Sequence, residues 1–127
     1  MSGPIVDRID IWVEVDRILP HELSTDGVTG EESKVFKNKV NKARKIQQER
    51  FSAKGGSASG RKNITKNGEM SARELVQLVH LEKEAEKILN LTAERMGFSP
   101  RVYHRMIKVA RTIADLEESP IITAKHI

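Results

Sequence analysis

The residues best suited to bind an anion lie near the end of the chain, in residues 99–116. On a helical wheel, Arg101, Arg105 and Lys108 fall within roughly 60° of one another, opposite a broad apolar arc. A guanidinium group is always charged and can hold two phosphate oxygens at once. Because a cation in the first turn opposes the helix dipole, Arg101 in particular indicates a bound anion.

The helix that carries these cations has clear signals for its start and its packing. Ser99 is a favourable N-cap, and Pro100 suits the first helical position, where its missing N–H costs nothing. The apolar arc that we expect to pack consists of Val102, Tyr103, Met106, Ile107, Val109, Ala110, Ile113 and Ala114. One side of the helix should therefore pack while the other presents cations.

The composition of the 127 residues describes one small domain or part of a larger protein. Hydrophobic residues at 38% suffice for a modest helical core, whereas aromatic residues at 4% are too few for recognition of nucleic acid mainly by stacking. The chain has no cysteine, which excludes disulfides and thiolate metal sites. Since there is no signal peptide and no apolar run near the ~20 residues of a membrane span, we expect a cytoplasmic protein without membrane contact.

The net charge of +4 conceals one strongly basic segment. Residues 33–66 contain eleven Lys or Arg and a single acid, Glu49, so this segment carries +10 and the remainder −6. Such a segment could follow a phosphate backbone, with Lys42 and Lys45 as candidate contacts. Its cations spread over several helical faces, however, and a solvated helix explains them equally well.

Residues 1–28 are predicted to hold one strand and a loop. Ile9 to Asp16 alternates strictly between apolar and polar residues, as a half-buried strand does. No other segment offers a partner strand, and a lone strand leaves its backbone groups unpaired. We therefore expect the rest of its sheet to belong to a core outside this chain.

Two further regions precede the most apolar part of the chain. Residues 29–54 are predicted to form a basic helix, opened by a capping box between Thr29 and Glu32. Residues 55–68 are rich in Gly, Ser and Lys, which is typical of a flexible linker.

Residues 69–127 are predicted to form a helical bundle. A second capping box, Ser71 to Glu74, opens a short helix that breaks near His80. The next helix runs over residues 84–96, and Gly97 ends it as a left-handed C-terminal residue.

The end of the chain follows the cationic helix. Ser119-Pro120 ends that helix, because proline cannot continue it. Thr123 to Ile127 indicates the first turn of one more helix, which we expect to be truncated here.

A family resemblance covers both ends of the chain. The C-terminal helical lid of the magnesium-chelatase-like AAA+ ATPases resembles two stretches of this chain, SPRVYHRMIKVARTIADLEES at residues 99–119 and ITAKHI at residues 122–127. Within that family, the resemblance is to the branch of competence-associated ComM helicases. The segment that carries the arginine finger in that family is similar to SGPIVDRIDI at residues 2–11. The two motifs occur in the family's order and at a plausible separation, which makes the resemblance specific.

The resemblance implies a mainly α fold, in which a helical lid bundle of an AAA+ ATPase follows one strand of a missing α/β core. It implies that Arg101 is the sensor-2 arginine, which contacts the terminal phosphates of ATP bound to the N-terminal core of the same protein. Arg8 is then the arginine finger, which completes the ATP site of the neighbouring subunit in a homo-oligomeric ring. The implied cofactors are ATP and Mg²⁺ in the full-length protein, with none expected on this chain alone.

The motifs that hydrolysis itself needs are missing from the sequence. Gly55 to Lys62 superficially resembles a phosphate-binding loop, but Arg61 stands where lysine is required and Lys62 where a metal-binding hydroxyl is required. No acidic pair follows a strand to hold Mg²⁺, and the four histidines are scattered, so we predict no metal site. This chain should not hydrolyse ATP by itself.

Two other classes of function stay open. The chain could be a sequence-independent nucleic-acid-binding module that uses residues 33–66, or a structural helical interaction domain indifferent to both nucleotide and DNA. A DNA affinity that falls steeply with salt and is lost on neutralising Lys42 and Lys45 distinguishes the first. For the ATPase, DNA remodelling and metal insertion into a porphyrin both stay open.

Overall fold

The computed structural model describes residues 9–17, 31–52 and 64–127, and these residues form helices and turns without a sheet. The four helices are α1 (Glu31–Ser52), α2 (Ala72–Leu78), α3 (Lys83–Met96) and α4 (Pro100–Leu116). Two 3₁₀ turns, Asn67–Glu69 and Ala124–His126, precede α2 and follow α4. The predicted mainly α fold is confirmed.

Local sequence signals place the start of α2, the end of α3 and the start of α4 where they were expected, whereas α4 ends at Leu116, before Ser119-Pro120. The Ser71 hydroxyl accepts a hydrogen bond from the Glu74 N–H at 3.4 Å, while the Glu74 carboxylate accepts one from the Ser71 N–H at 2.6 Å, which is the predicted capping box. Gly97 closes α3 at φ +61°, a conformation that glycine adopts without steric cost. Ser99 caps α4 by accepting from the Val102 N–H at 3.3 Å.

The core lies where α2, α3 and α4 meet the segment that follows α4. Its fully buried side chains include Ala85, Leu89 and Ala114, and also Ile122, which lies beyond the last long helix. The Ile122 N–H donates to the His80 carbonyl at 2.9 Å, and the Ile122 carbonyl accepts from the Glu82 N–H at 2.9 Å. The C-terminal segment is therefore paired with the α2–α3 connection and completes the bundle.

Helix α1 packs against α4 with its second half alone. Ala43 and Gln47 are buried and Phe51 contacts the core, whereas the described side chains of residues 32–42 are all exposed. The division into a basic helix at 29–54, a linker at 55–68 and a lid at 69–127 stays a prediction. Asn67, at the end of the predicted linker, is buried in the first 3₁₀ turn.

Two segments differ from their expected secondary structure. Residues 9–17 belong to no strand and their side chains are exposed, because no described residue supplies the ladder of hydrogen bonds that a strand requires. Residues 123–127 close as a 3₁₀ turn rather than as the first turn of an α-helix. There the His126 ring accepts a hydrogen bond from the Thr123 N–H at 2.9 Å, which fixes the tighter turn.

A cationic groove along helix α4

Arg101 lies in the first turn of α4 and points away from the core. Its side chain is exposed, and it forms no hydrogen bond or ion pair with any residue in the described part of the chain. Neither Asp nor Glu occupies this first turn, so the N–H groups and the guanidinium face no compensating carboxylate on their own helix. The geometry is that of a cation and a helix terminus open to an anionic ligand.

A groove of about 790 Å³ runs along α4 beside Arg101. Arg105 and Lys108 line it on the same side, as the wheel predicts, and Val109 and Ile113 provide an apolar floor. Lys108 donates from Nζ to the Gly68 carbonyl at 3.0 Å, which ties its ammonium to the first 3₁₀ turn. The groove therefore combines cations with apolar surface, a combination that suits an anion bearing an apolar or aromatic part.

Asp10 contributes the one carboxylate that lines this groove among the described residues. Arg105 donates from Nε to Asp10 Oδ1 at 2.5 Å. This hydrogen bond lowers the pKa of the Asp10 carboxyl, with burial opposing it and the charges of Arg105 and Lys108 adding to it. Three cations against one anion leave the groove positive, so it favours a ligand of negative charge.

A second cluster of charges on α4 is buried, and the sequence analysis did not identify it. The Asp115 side chain is fully buried, and its carboxylate accepts hydrogen bonds from Arg111 at 3.1 Å and from Asn67 at 2.7 Å. Arg50 of α1 binds both Asp115 oxygens, one of them at 3.0 Å, and donates to the side-chain amide oxygen Oδ1 of Asn67 at 2.9 Å. We call these four residues the Asp115 cluster.

The Asp115 cluster joins four parts of the fold. Besides α1, α4 and the first 3₁₀ turn, it holds the segment after α4, because Arg111 donates to the carbonyls of Ser119 and Pro120, the latter at 2.9 Å. Burial by itself raises the pKa of Asp115, but hydrogen bonds from Arg50 and Asn67 and the Arg111 charge outweigh it, so the pKa is lowered. Burial lowers the pKa of Arg111.

A signal for this cluster exists in the sequence. Arg111 and Asp115 are spaced i, i+4, and Arg111 borders the apolar arc next to Ile107 and Ala114. The buried side of α4 is in fact rotated toward these residues, because Ile107, Ala110 and Ala114 are buried together with the ion pair. Ile113, one member of the predicted packing arc, is partly exposed.

Lys42 and Lys45, the candidate nucleic-acid contacts, are both exposed on α1. Lys42 Nζ lies 2.9 Å from Glu118 Oε1, whereas Lys45 forms no hydrogen bond or ion pair with a described residue. Arg8, the expected arginine finger, and Gly55 to Lys62 lie outside the described residues. The structure therefore tests neither of those two predictions.

Nothing in the described part of the chain forms a metal site or a membrane span. No group of three or more His, Asp or Glu residues is arranged there to hold an ion. The helices described are also too short or too polar to cross a bilayer. His126, one of the four histidines, is buried; Nδ1 of its ring accepts the Thr123 hydrogen bond described above, and Nε2 lies 3.1 Å from Glu117 Oε2.

Sequence comparisons place these features among known proteins. Residues 30–127 match the family described as "Magnesium chelatase, subunit ChlI C-terminal". The chain is 35% identical over 127 residues to the "Uncharacterized protein YifB" of Escherichia coli K12 and, over the same length, 35% identical to the "Competence protein ComM" of Haemophilus influenzae Rd. In both cases the match covers 100% of this chain and 23% of the relative's length.

Proposed function

We propose a nucleotide-sensing role for this chain, which belongs to the magnesium chelatase family through the C-terminal region of the ChlI subunit. The resemblance stated from the two sequence motifs is confirmed at the level of this family and of its YifB and ComM relatives. The chain spans 23% of the length of those relatives. We propose that the whole protein is an ATP-driven remodelling ATPase with an N-terminal AAA+ core.

Arg101 carries the proposal. An exposed arginine that no described residue neutralises, at the start of a capped helix and beside a positive groove, suits the terminal phosphates of ATP held by the core. Loss of the γ-phosphate on hydrolysis would remove the anion that Arg101 holds. The helical bundle would then move relative to the core, because Arg101 contacts the γ-phosphate in the ATP state and has no such contact in the ADP state.

The proposal extends to Arg8 and to a ring of subunits. In the family pattern, Arg8 would reach the ATP of the neighbouring subunit and stabilise charge that develops during phosphoryl transfer. ATP and Mg²⁺ would be bound mainly by the N-terminal core, and this chain would supply one arginine to its own site and one to the next. This part of the proposal rests on the resemblance of residues 2–11.

The decisive experiment measures ATP hydrolysis by the full-length protein and by its Arg101→Ala and Arg101→Lys variants. We expect Arg101→Ala to lower kcat/KM by about tenfold or more, equivalent to about 1.4 kcal/mol of transition-state stabilisation, with partial recovery in Arg101→Lys. Arg95→Ala is the matched control, because Arg95 is an exposed arginine on α3 that does not line the groove. Equal rates for Arg101→Ala and the control would refute the sensing role.

The trans role of Arg8 has its own test in mixed rings. Arg8→Ala subunits should be inactive alone, and so should subunits whose phosphate-binding loop in the core is disabled. Mixing the two should restore activity, because each kind supplies what the other lacks. Absence of recovery in rings shown to be mixed would refute the action in trans.

Nucleic-acid binding is a second candidate function, and the charge of α1 favours it. Residues 33–48 contain six Lys or Arg and no acid, and all six cations are exposed. Phosphate contacts release counterions, so affinity for single-stranded DNA should fall steeply with salt. We expect Lys45→Ala to weaken binding and to reduce the salt slope by about 1, whereas Lys87→Ala on α3 changes neither.

A further inference from the structure

Part of the apolar surface of α4 is not covered by the bundle. Ile107, Ala110 and Ala114 face the core, but Val109 and Ile113 lie on the flank beside them and line the groove. Val102 and Met106 line a second groove, of about 410 Å³, toward the start of α4, and Met106 also packs against the edge of the core. We call Val102, Met106, Val109 and Ile113 the outer face of α4.

Residues 9–12 lie along this outer face. Ile11 lines the first groove together with Val109 and Ile113, while Ile9 and Trp12 line the second together with Val102 and Met106. The contact is shallow, because Ile11 remains 65% exposed. Apolar contacts of this kind are non-directional, so they bring the segment to the helix without fixing its orientation.

A directional contact between described residues also holds the segment in place, the hydrogen-bonded ion pair between Asp10 and Arg105. Asp10 lines both grooves, and its carboxylate receives the Arg105 N–H at 2.5 Å. Arg105 is one helical turn from Arg101 on the same face. Its side chain is 20% exposed, so little water competes with Asp10 for the hydrogen bonds of the guanidinium. In sequence, Asp10 follows Arg8 by two positions.

We propose that Asp10 is a positioning residue whose ion pair with Arg105 sets the orientation of α4, and therefore of Arg101, relative to segment 9–17. The same contact links the helix that bears the proposed sensor to a segment that directly follows the proposed finger in sequence. The effect on Arg101 rests on the proposed function, whereas the docking of the segment on α4 does not. The two parts therefore receive separate tests.

The docking is tested by the fluorescence of Trp12, the one tryptophan of the sequence. Trp12 lines the second groove and is 55% exposed, so complete release can raise its collisional quenching by acrylamide at most about twofold. We expect an increase of about 1.5-fold in Asp10→Asn and in Arg105→Gln, and in the unaltered chain at about 1 M salt, where the Debye length is about 3 Å.

Asp16→Asn is the matched control for Asp10→Asn. Asp16 is an exposed carboxylate of the same segment and forms no hydrogen bond or ion pair with a described residue. The double variant Asp10→Arg with Arg105→Asp exchanges the two charges and can re-form the ion pair. Its quenching should therefore return toward that of the unaltered chain. Identical quenching in Asp10→Asn, Asp16→Asn and the unaltered chain would overturn the docking role, provided circular dichroism shows the helices intact in each.

The positioning of Arg101 is tested by a double-mutant cycle in the full-length ATPase. Asp10→Asn should lower kcat/KM about threefold alone and cause no further loss in an Arg101→Ala background, because the effect acts through Arg101. Equal losses in both backgrounds would overturn the positioning role. If Arg101→Ala itself has no effect, the proposed sensing function fails, and the Trp12 measurement still decides whether Asp10 docks the segment.

Discussion

Two of the three arginines on helix α4 lie in opposite settings. Arg111 is 1% exposed, and Asp115 and the carbonyls of Ser119 and Pro120 accept its hydrogen bonds, whereas Arg101 is exposed with no partner among the described residues. The Asp115 cluster uses charge to hold the bundle together, because an ionised side chain is stable in the interior only when its hydrogen bonds are satisfied. The open face around Arg101 leaves charge available to a ligand. Burial, rather than residue type, separates the two roles.

Removing the centre of the buried cluster should have the largest effect. Asp115→Ala leaves Arg50 and Arg111 without their shared carboxylate, and breaking a buried ion pair in this way costs about 3–5 kcal/mol of unfolding free energy. Urea denaturation followed by circular dichroism measures the loss. Arg101→Ala is the comparison, and a change there above about 0.5 kcal/mol would contradict the view that Arg101 has no structural role.

Asn67→Ala should cause a smaller loss in the same cluster. It removes hydrogen bonds to Asp115 at 2.7 Å and from Arg50 at 2.9 Å but leaves the ion pairs intact. A buried group that loses its hydrogen-bond partner costs about 1–3 kcal/mol. Urea denaturation should place this variant between Asp115→Ala and the unaltered chain, and a loss equal to that of Asp115→Ala would show that the amide is as important as the charge.

Acid should distinguish the buried carboxylate from the exposed ones. Burial opposes ionisation of Asp115, but hydrogen bonds from Arg50 and Asn67 and the charge of Arg111 leave its pKa below its ordinary value. A lowered pKa in the folded state adds stability above the unfolded pKa of about 3.9, and this stability is lost as the pH falls through the folded pKa. The unaltered chain should therefore lose more unfolding free energy than Asp115→Asn between about pH 5 and pH 2. Parallel curves would contradict the assignment.

The smallest effect is expected at the exposed pair of Lys42 with Glu118. Both side chains are more than half exposed, and such pairs contribute about 0–1 kcal/mol because water and salt screen them. Lys42→Ala should shift the urea midpoint slightly at low salt and not at all at high salt. A larger shift would mean that the exposed Lys42–Glu118 pair stabilises the packing of α1 as much as the buried Asp115 cluster does.

Signals that act over a few residues were sufficient to predict the local structure. Ser71 with Glu74, Gly97, and Ser99 with Pro100 mark helix ends through contacts within one turn, and the structure has each of them. The positions of Arg101, Arg105 and Lys108 on one face follow from the helical period and are confirmed as well.

Contacts between distant residues could not be predicted in the same way. Arg50 and Asp115 are 65 residues apart, and no periodicity relates them, so their pairing depends on how α1 crosses α4. The apolar arc of α4 indicated how much surface would avoid water but not which half the bundle would cover. Likewise, the alternation in Ile9 to Asp16 matches the side-chain pattern of a strand. A strand also needs backbone hydrogen bonds to a neighbouring strand, and no described residue provides them.

The pairing of Ile122 with His80 and Glu82 has a consequence for the order of folding. It closes a loop of roughly 40 residues, and closing such a loop costs chain entropy before the new contacts stabilise it. The helices between these points can form through nearer contacts first. We therefore expect Ile122→Val to speed unfolding while leaving the refolding rate almost unchanged, which would place this pairing after the transition state.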